Sequence, residues 1–271
     1  MAKQFESDLD DYFIKEEPYY IEAKDEAKLF EAAFAEKLPV MIKGPTGCGK
    51  TRFIEYMAYK LHIPLISIAC HEDLFASDLT GRFLLKNDET VWNDGPLTLA
   101  VRMGAICYLD EIVEARKDTA VVIHPLTDNR RTLYIDKKQE TIHADPDFLI
   151  VISYNPGYQS VLKDLKQSTR QRFVSIIFDY MKPDLESEIV ACEGDIDIKT
   201  AQRLVSLGEK IRNIREQGLT EGASTRLLIY AAQLIRQGIS HHEACRSAIC
   251  LPLTDDLKLQ ETLNDLIEDI F

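Results

Sequence analysis

Residues 44–51 read Gly44-Pro45-Thr46-Gly47-Cys48-Gly49-Lys50-Thr51, a G-x-x-x-x-G-K-[ST] spacing whose chemistry is phosphate binding. Glycines let backbone N–H groups converge on a phosphate with no Cβ in the way, and a following helix adds the positive end of its dipole. Lys50 is placed to reach the β- and γ-phosphates of a nucleotide, and Thr51 to offer its hydroxyl to Mg²⁺. A second constellation, Ile106-Cys107-Tyr108-Leu109-Asp110-Glu111, is an apolar run ending in two adjacent carboxylates. A buried parallel strand that ends at a nucleotide site has this form. Asp110 suits the Mg²⁺ shell, and Glu111 suits polarising a water for attack on the γ-phosphate. Alone, an Asp-Glu pair reads as the solvated start of a loop. Behind a phosphate loop in the same chain, it predicts a site for ATP and Mg²⁺.

Three further positions bear on the reaction. The run Phe148 to Asn155 is a buried strand ending in an amide, and Asn155 there can orient the attacking water or contact the γ-phosphate. The plainer alternative is an Asn that opens the Asn155-Pro156-Gly157 turn. Ser168-Thr169-Arg170-Gln171-Arg172-Phe173 puts two arginines just before the last strand. From there they can reach a neighbouring subunit's γ-phosphate, or merely satisfy carbonyls at a helix end. Arg226, in Gly222-Ala223-Ser224-Thr225-Arg226, begins a later helix; it either folds over the nucleotide or is a surface arginine set slightly against the helix dipole.

These groups need a scaffold, and the hydrophobic pattern supplies one. Strand-like runs recur at 40–43, 64–69, 106–109, 148–154 and 174–178, with helix-like segments between most of them. Such alternation predicts a three-layer α/β fold on a parallel sheet. From about Met181 the strand signals stop. Segments 198–214, 223–237, 240–249 and 254–270 read as helices, with Gly222, Gly238 and Pro252 as punctuation. The expected organisation is an acidic N-terminal arm over 1–18, an α/β nucleotide-binding domain over 19–181 and a small helical domain over 182–271.

Bulk properties narrow the partners. The 271-residue chain is 45% hydrophobic and 28% charged, with a formal net charge of −13. That charge argues against a client gripped through nucleic-acid phosphates. No apolar run approaches the length of a membrane span, and Glu6, Asp8, Asp10 and Asp11 make the N-terminus too acidic for a secretory signal. The six cysteines show no CxxC pairing and read as reduced, mostly buried thiols of a cytoplasmic protein. Cys70-His71-Glu72-Asp73 holds metal-ligand residue types, but consecutive positions on an extended chain point to opposite faces and converge poorly on an ion.

Phosphate loop, Asp-Glu strand end, fourth-strand Asn, late arginines and helical lid together make up the AAA+ pattern. Within it, the chain resembles the MoxR-type ATPases, specifically the NorQ/NirQ/CbbQ branch, from about Tyr19 onward. The phrases that carry the resemblance include 43–53, Ala69-Cys70-His71-Glu72-Asp73-Leu74, Ala76-Ser77-Asp78-Leu79-Thr80-Gly81-Arg82 and Gly95-Pro96-Leu97-Thr98. Residues 152–160 and 168–173 add to them. The resemblance implies a sheet order of 5-1-4-3-2, a hexameric ring, ATP bound between subunits and a partner carrying a von Willebrand factor A domain. By motif match Asn155 is the sensor-1 residue, Arg226 the sensor-2 residue and Arg172 the arginine finger, with Arg170 a close competitor.

The same resemblance puts a hairpin inserted in the domain's second helix at about 75–95, and another before the sensor-1 strand at about 129–142, both facing the pore or the partner. Alternating Leu133 and Ile135, then Asp136-Lys137-Lys138, independently suit a hairpin. Trp92, the only tryptophan, either anchors a partner contact or packs the insert onto its own domain. Asp88 or Glu89 is an acidic candidate to complete a metal site on the partner. The CbbQ group implies Rubisco as client, with release of tight-binding sugar-phosphate inhibitors. The NorQ group implies activation or metal loading of nitric oxide reductase. A different class, a nucleotide-switched binding module with little turnover, is disfavoured by the intact Asp110-Glu111 pair and the arginines.

Overall fold

The computed structural model describes residues 10–86, 88–156, 165–214, 219 and 221–271. Residues 1–9 of the acidic arm, Asn87 of the first hairpin and Gly157-Tyr158-Gln159-Ser160 of the resemblance lie outside them. The chain forms two compact units: the described residues up to Lys43 with Lys50–Ile177, and Gly44–Gly49 with Phe178–Phe271.

The described residues of the first unit form nine strands: β1 Val40–Lys43, β2 Leu65–Ala69, β3 Gly81–Lys86, β4 Glu89–Asp94, β5 Ile106–Asp110, β6 Thr132–Ile135, β7 Glu140–His143, β8 Leu149–Tyr154 and β9 Val174–Ile177. Five form one sheet in the order β2-β5-β8-β1-β9, every pair parallel. Numbering only these five along the chain, the order is 5-1-4-3-2 read from the β9 edge, as expected. β5 and β8 sit inside the sheet and are covered on both faces: every residue of β8 is buried, and so are the first four of β5. Their unbroken apolar runs are what two-sided burial demands. The register pairs Tyr108 with Val151 and Leu109 with Ile152, so β5 and β8 end side by side.

The helix Lys50–Leu61 buries Phe53, Ile54, Met57 and Ala58 against the sheet unit's core, a spacing that puts all four on one face. Tyr20 packs on that helix, its ring 5.1 Å from Tyr56 and 5.4 Å from Phe53. The remaining four strands pair as two antiparallel hairpins, β3–β4 and β6–β7.

The second unit is helical. Its main helices are Pro183–Gly194, Ile198–Asn213, Thr225–Arg236, His241–Cys245 and Leu257–Ile270. Asp197, Ser224, Ser240 and Asp256 cap four of them, each side chain accepting a backbone N–H of the first turn. Two features depart from the periodicity reading. Pro183–Gly194 is a helix that the apolar pattern does not announce, because its buried face is Glu186, Ser187, Val190 and Gly194. The segment 240–249 is not one α-helix: a π-turn, Arg246–Cys250, follows His241–Cys245. Pro252 has no N–H to bond the Ala248 carbonyl, and the helix widens just before it.

Candidate active site

The two acidic residues that close β5 are held by hydroxyls, Asp110 at its carboxylate and Glu111 at its backbone N–H. Tyr108 donates from its phenol to Asp110 Oδ1 at 2.7 Å, and the Ser153 hydroxyl donates to the same oxygen. Ser153, fully buried on β8, also accepts the backbone N–H of Glu111 at 3.0 Å. The Thr51 hydroxyl joins through a hydrogen bond to Tyr108. Burial, then the charge of Asp110, pushes the Tyr108 phenol well above its ordinary value, so it remains a donor. Among the described residues neither hydroxyl engages Asp110 Oδ2, and no Lys or Arg pairs with this carboxylate. Glu111 is exposed and sits in the left-handed region, φ 54° and ψ 49°, where a residue with a Cβ is rare.

One strand over, the chain brings in its phosphate-loop lysine. Lys50 is buried, and its ammonium donates to Asn155 Oδ1 at 2.7 Å. An amide oxygen satisfies an ammonium donor without neutralising its charge. Asn155 follows β8 directly, so the sheet register sets Asn155, Asp110 and Glu111 at the carboxyl ends of adjacent strands, and its bond to Asn155 brings Lys50 to them. In open parallel sheets ligands bind at that edge.

The loop itself belongs to the second unit. Gly47 and Gly49 have φ of +66° and +95°, which only glycine adopts at low cost. A Cβ at Gly47 would meet Ser224 Cβ at 2.6 Å and Arg226 Cβ at 3.5 Å, so the start of the helix Thr225–Arg236 lies against the loop. Thr46 Oγ1 donates to Glu221 at 3.2 Å, and Tyr180 donates to the Thr46 carbonyl at 3.3 Å. Cys48 and Gly44 are buried, Pro45 is half-buried, and Arg226 is exposed. Behind this contact Arg212 lies 3.8 Å over the Tyr180 ring, donates to the Ala223 carbonyl and grips Glu186 through two 2.7 Å bonds.

The two candidate arginines have separate surroundings. Arg170 Nε donates to the Leu165 carbonyl at 3.0 Å. Arg172 Nη1 lies 3.4 Å from Asp128 and 3.5 Å from the His124 carbonyl, its side chain 34% exposed. Arg130 first, and Arg172 after it, hold the Asp128 carboxyl far below the usual carboxylate range.

In the first hairpin Trp92 takes the second of its two alternatives. Its ring packs against the core of its own unit, its Nε1 donates to Asp94 at 2.6 Å, Phe83 meets it edge-on at 5.0 Å and Lys138 sits 5.7 Å above it. Arg102 then links the hairpins by pairing with both Asp94 and Glu140. The apolar groups left facing solvent are Phe83, Leu85 and Val91.

Tyr108 and Ser153 are the residues beside Asp110 and Glu111 that motif reading missed. The available signal was a lone hydroxyl in the apolar run Leu149-Ile150-Val151-Ile152-Ser153, two residues before Asn155 and therefore on its face of the strand.

The chain is similar to known proteins along most of its length. Residues 186–270 match the CbbQ/NirQ/NorQ C-terminal family, and residues 39–173 match the AAA domain of the dynein-related subfamily. The chain is 57% identical to protein CbbQ of Hydrogenophilus thermoluteolus, over 96% of this chain and 97% of that one. It is 57% identical to protein NorQ of Paracoccus denitrificans, over 94% of each. Against the denitrification regulatory protein NirQ of Pseudomonas aeruginosa the identity is 54%, over 93% of this chain and 96% of the relative. Among solved structures, a Thermotoga maritima RuvB mutant superposes with a TM-score of 0.56 at 16% identity, over 94% of this chain and 72% of that one. That likeness is one of fold.

Proposed function

The chain belongs to the CbbQ/NirQ/NorQ family of AAA+ ATPases, and from that premise we propose that it hydrolyses ATP as a cytoplasmic hexameric ring that remodels a client enzyme. The observation that carries the hydrolysis reading is the Lys50–Asn155 bond of 2.7 Å, one strand from the Asp110–Glu111 pair. In this reading residues 44–50 bind the phosphates. Glu111 takes a proton from the attacking water, and Asn155 orients that water against the γ-phosphate. Arg172, or Arg170 in its place, comes from the neighbouring subunit to stabilise charge in the transition state. Arg226 reports the nucleotide to the helical unit.

Mg²⁺ fits the residues present. Asp110 and Thr51 offer the hard oxygens this ion takes, and Asp110 has only neutral hydroxyl partners among the described residues. When bound, the ion would neutralise charge on the β- and γ-phosphates.

For the client we propose Rubisco, freed of tight-binding sugar phosphates with an adaptor that carries a von Willebrand factor A domain. The similarity to CbbQ supports it. A second reading, activation or metal-centre assembly of nitric oxide reductase, is supported by an equal identity to NorQ. In either reading the exposed Phe83, Leu85 and Val91, with Asp88 and Glu89 at the hairpin tip, suit an adaptor contact better than Trp92 does.

Glu111→Gln tests the ATPase reading, because it keeps shape and removes the charge that activates water. The variant should bind ATP and lose about a hundredfold or more in kcat. Normal turnover would remove Glu111 from the reaction. Reactivation of inhibited Rubisco by the ring with its adaptor, measured beside recovery of nitric oxide reductase activity, separates the two clients.

A further inference from the structure

We infer that Ser153 is a positioning residue for hydrolysis, holding Glu111 in its aimed conformation and joining it to Asp110; the inference rests on the ATPase reading above. Ser153 has no exposed surface, and its neighbours along β8 are Ile152 and Tyr154, both buried. A buried hydroxyl needs partners, but a main-chain carbonyl of its own sheet would serve. This one joins the two acidic residues: it donates to Asp110 Oδ1 and accepts the backbone N–H of Glu111 at 3.0 Å.

The Glu111 bond matters because of where Glu111 is. Its left-handed backbone turns the chain out of β5 at once, into the turn closed by Glu114 N–H on the Glu111 carbonyl at 2.8 Å. Left-handed backbone at a residue with a Cβ persists only where surrounding bonds over-determine it. Ser153 on one side and that turn on the other are two bonds that do so here. Tyr108 cannot substitute, since it reaches Asp110 alone among the two carboxylates. Ser153 also stands two residues before Asn155 on the same strand. A shift of Asn155 with the phosphate that Lys50 binds is thereby passed along β8 to the backbone of Glu111.

The test uses the full chain, with steady-state Mg²⁺-ATPase, binding of a fluorescent ATP analogue and thermal unfolding read in parallel. Ser153→Ala should lower kcat by about 10–100-fold, the usual cost of losing an outer partner of a reacting group. Analogue affinity should stay within about threefold of wild type, the signature of an interaction made in the transition state. Tyr108→Phe removes the hydroxyl that meets Asp110, Thr51 and Ser153 but leaves the bond from the Glu111 N–H to Ser153, and should raise the Mg²⁺ concentration for half-maximal rate while losing less kcat than Ser153→Ala. Ser153→Thr and Ser153→Val have nearly the same shape, so their difference isolates the hydroxyl even if the added methyl group lowers stability. Thr should run at least about tenfold faster than Val.

Wild-type kcat in Ser153→Ala, equal rates for Thr and Val, or a Ser153→Ala loss confined to the Mg²⁺ requirement would each overturn the inference. Any of these beside an inactive Glu111→Gln leaves the ATPase reading standing. A wild-type chain that neither binds the analogue nor hydrolyses ATP sinks both.

Discussion

Two arginine–carboxylate pairs, one in each unit, are held in opposite ways. In the helical unit Arg212 meets Glu186 side-on through two 2.7 Å bonds, with side-chain exposures of 13% and 0%. Thr225 adds a third bond of 2.6 Å to the same carboxylate. That guanidinium is fully committed. In the sheet unit Arg172 meets Asp128 through a single 3.4 Å contact, at 34% and 29% exposure, and Asp128 is already gripped by Arg130 at 2.7 Å. A long, shared, solvated contact holds an arginine loosely enough to release it to a phosphate. Asp110 lies at the far end of this scale, with hydroxyl donors and no cation among the described residues.

The largest effect should therefore come from the loosely held member. Arg172→Ala is expected to leave ATP binding and the unfolding midpoint nearly unchanged while lowering kcat about a thousandfold or more. Arg170→Ala, which loses a bond to the Leu165 carbonyl, should cost much less. The reverse ranking in the assembled ring would move the finger to Arg170, and the contrast drawn from Arg172 would go with it.

Glu186→Ala reverses the phenotype. It strands a guanidinium that is 13% exposed, and breaking a buried pair from one side costs about 3–5 kcal/mol. Denaturant titration should show that loss. The residual folded protein should hydrolyse ATP at close to the wild-type rate at low temperature, because among the described residues the Glu186 carboxylate bonds Arg212 and Thr225 alone. A stable but inactive variant would show that the pair is part of the ATP cycle rather than a brace for the segment beside Gly47.

This contrast could not be read in the sequence, although much around it could. The five core strands, the octet at 44–51, the Asp110–Glu111 strand end and Asn155 were legible because each depends on local pattern: an apolar run, a glycine spacing, a polar residue closing a strand. The hairpin of Thr132–Ile135 with Glu140–His143 was legible for the same reason, in its alternation about Asp136-Lys137-Lys138. Ser153 was not, since its contacts come from a register that sets it beside residues 43 and 42 positions away. Glu186 was hidden twice, as a charge on the buried face of a helix whose pattern looks polar, and as the partner of an arginine 26 positions on. Backbone conformation at Glu111 leaves no trace in residue type. Trp92 was legible only as a choice, because an aromatic serves a core and an interface equally well.

The smallest expected effect compares one thiol in each unit. Cys70, beside β5, is pushed up to about 12, by burial first and then by the Asp110 and Glu111 charges. Cys245, in the helical unit, is also pushed up to about 12, by burial alone, with Arg203 opposing. Both therefore stay protonated in the fold where an unfolded thiol, near 8.5, would ionise. The folded chain then binds more protons between about pH 9 and 12, so this contribution to stability is intact below that window and is lost as the pH rises through it. At neutral pH iodoacetamide should label the exposed Cys192 well before either of them. Glu111→Gln removes one of the charges raising Cys70 and leaves Cys245 untouched. Mass spectrometry of labelling at pH 9–10 should accordingly find Cys70 modified a few times faster in that variant, the change being no more than about one pK unit, with Cys245 unchanged. An equal acceleration at both thiols would mean that the variant opens the fold, and the field of the carboxylate pair would not be what distinguishes them.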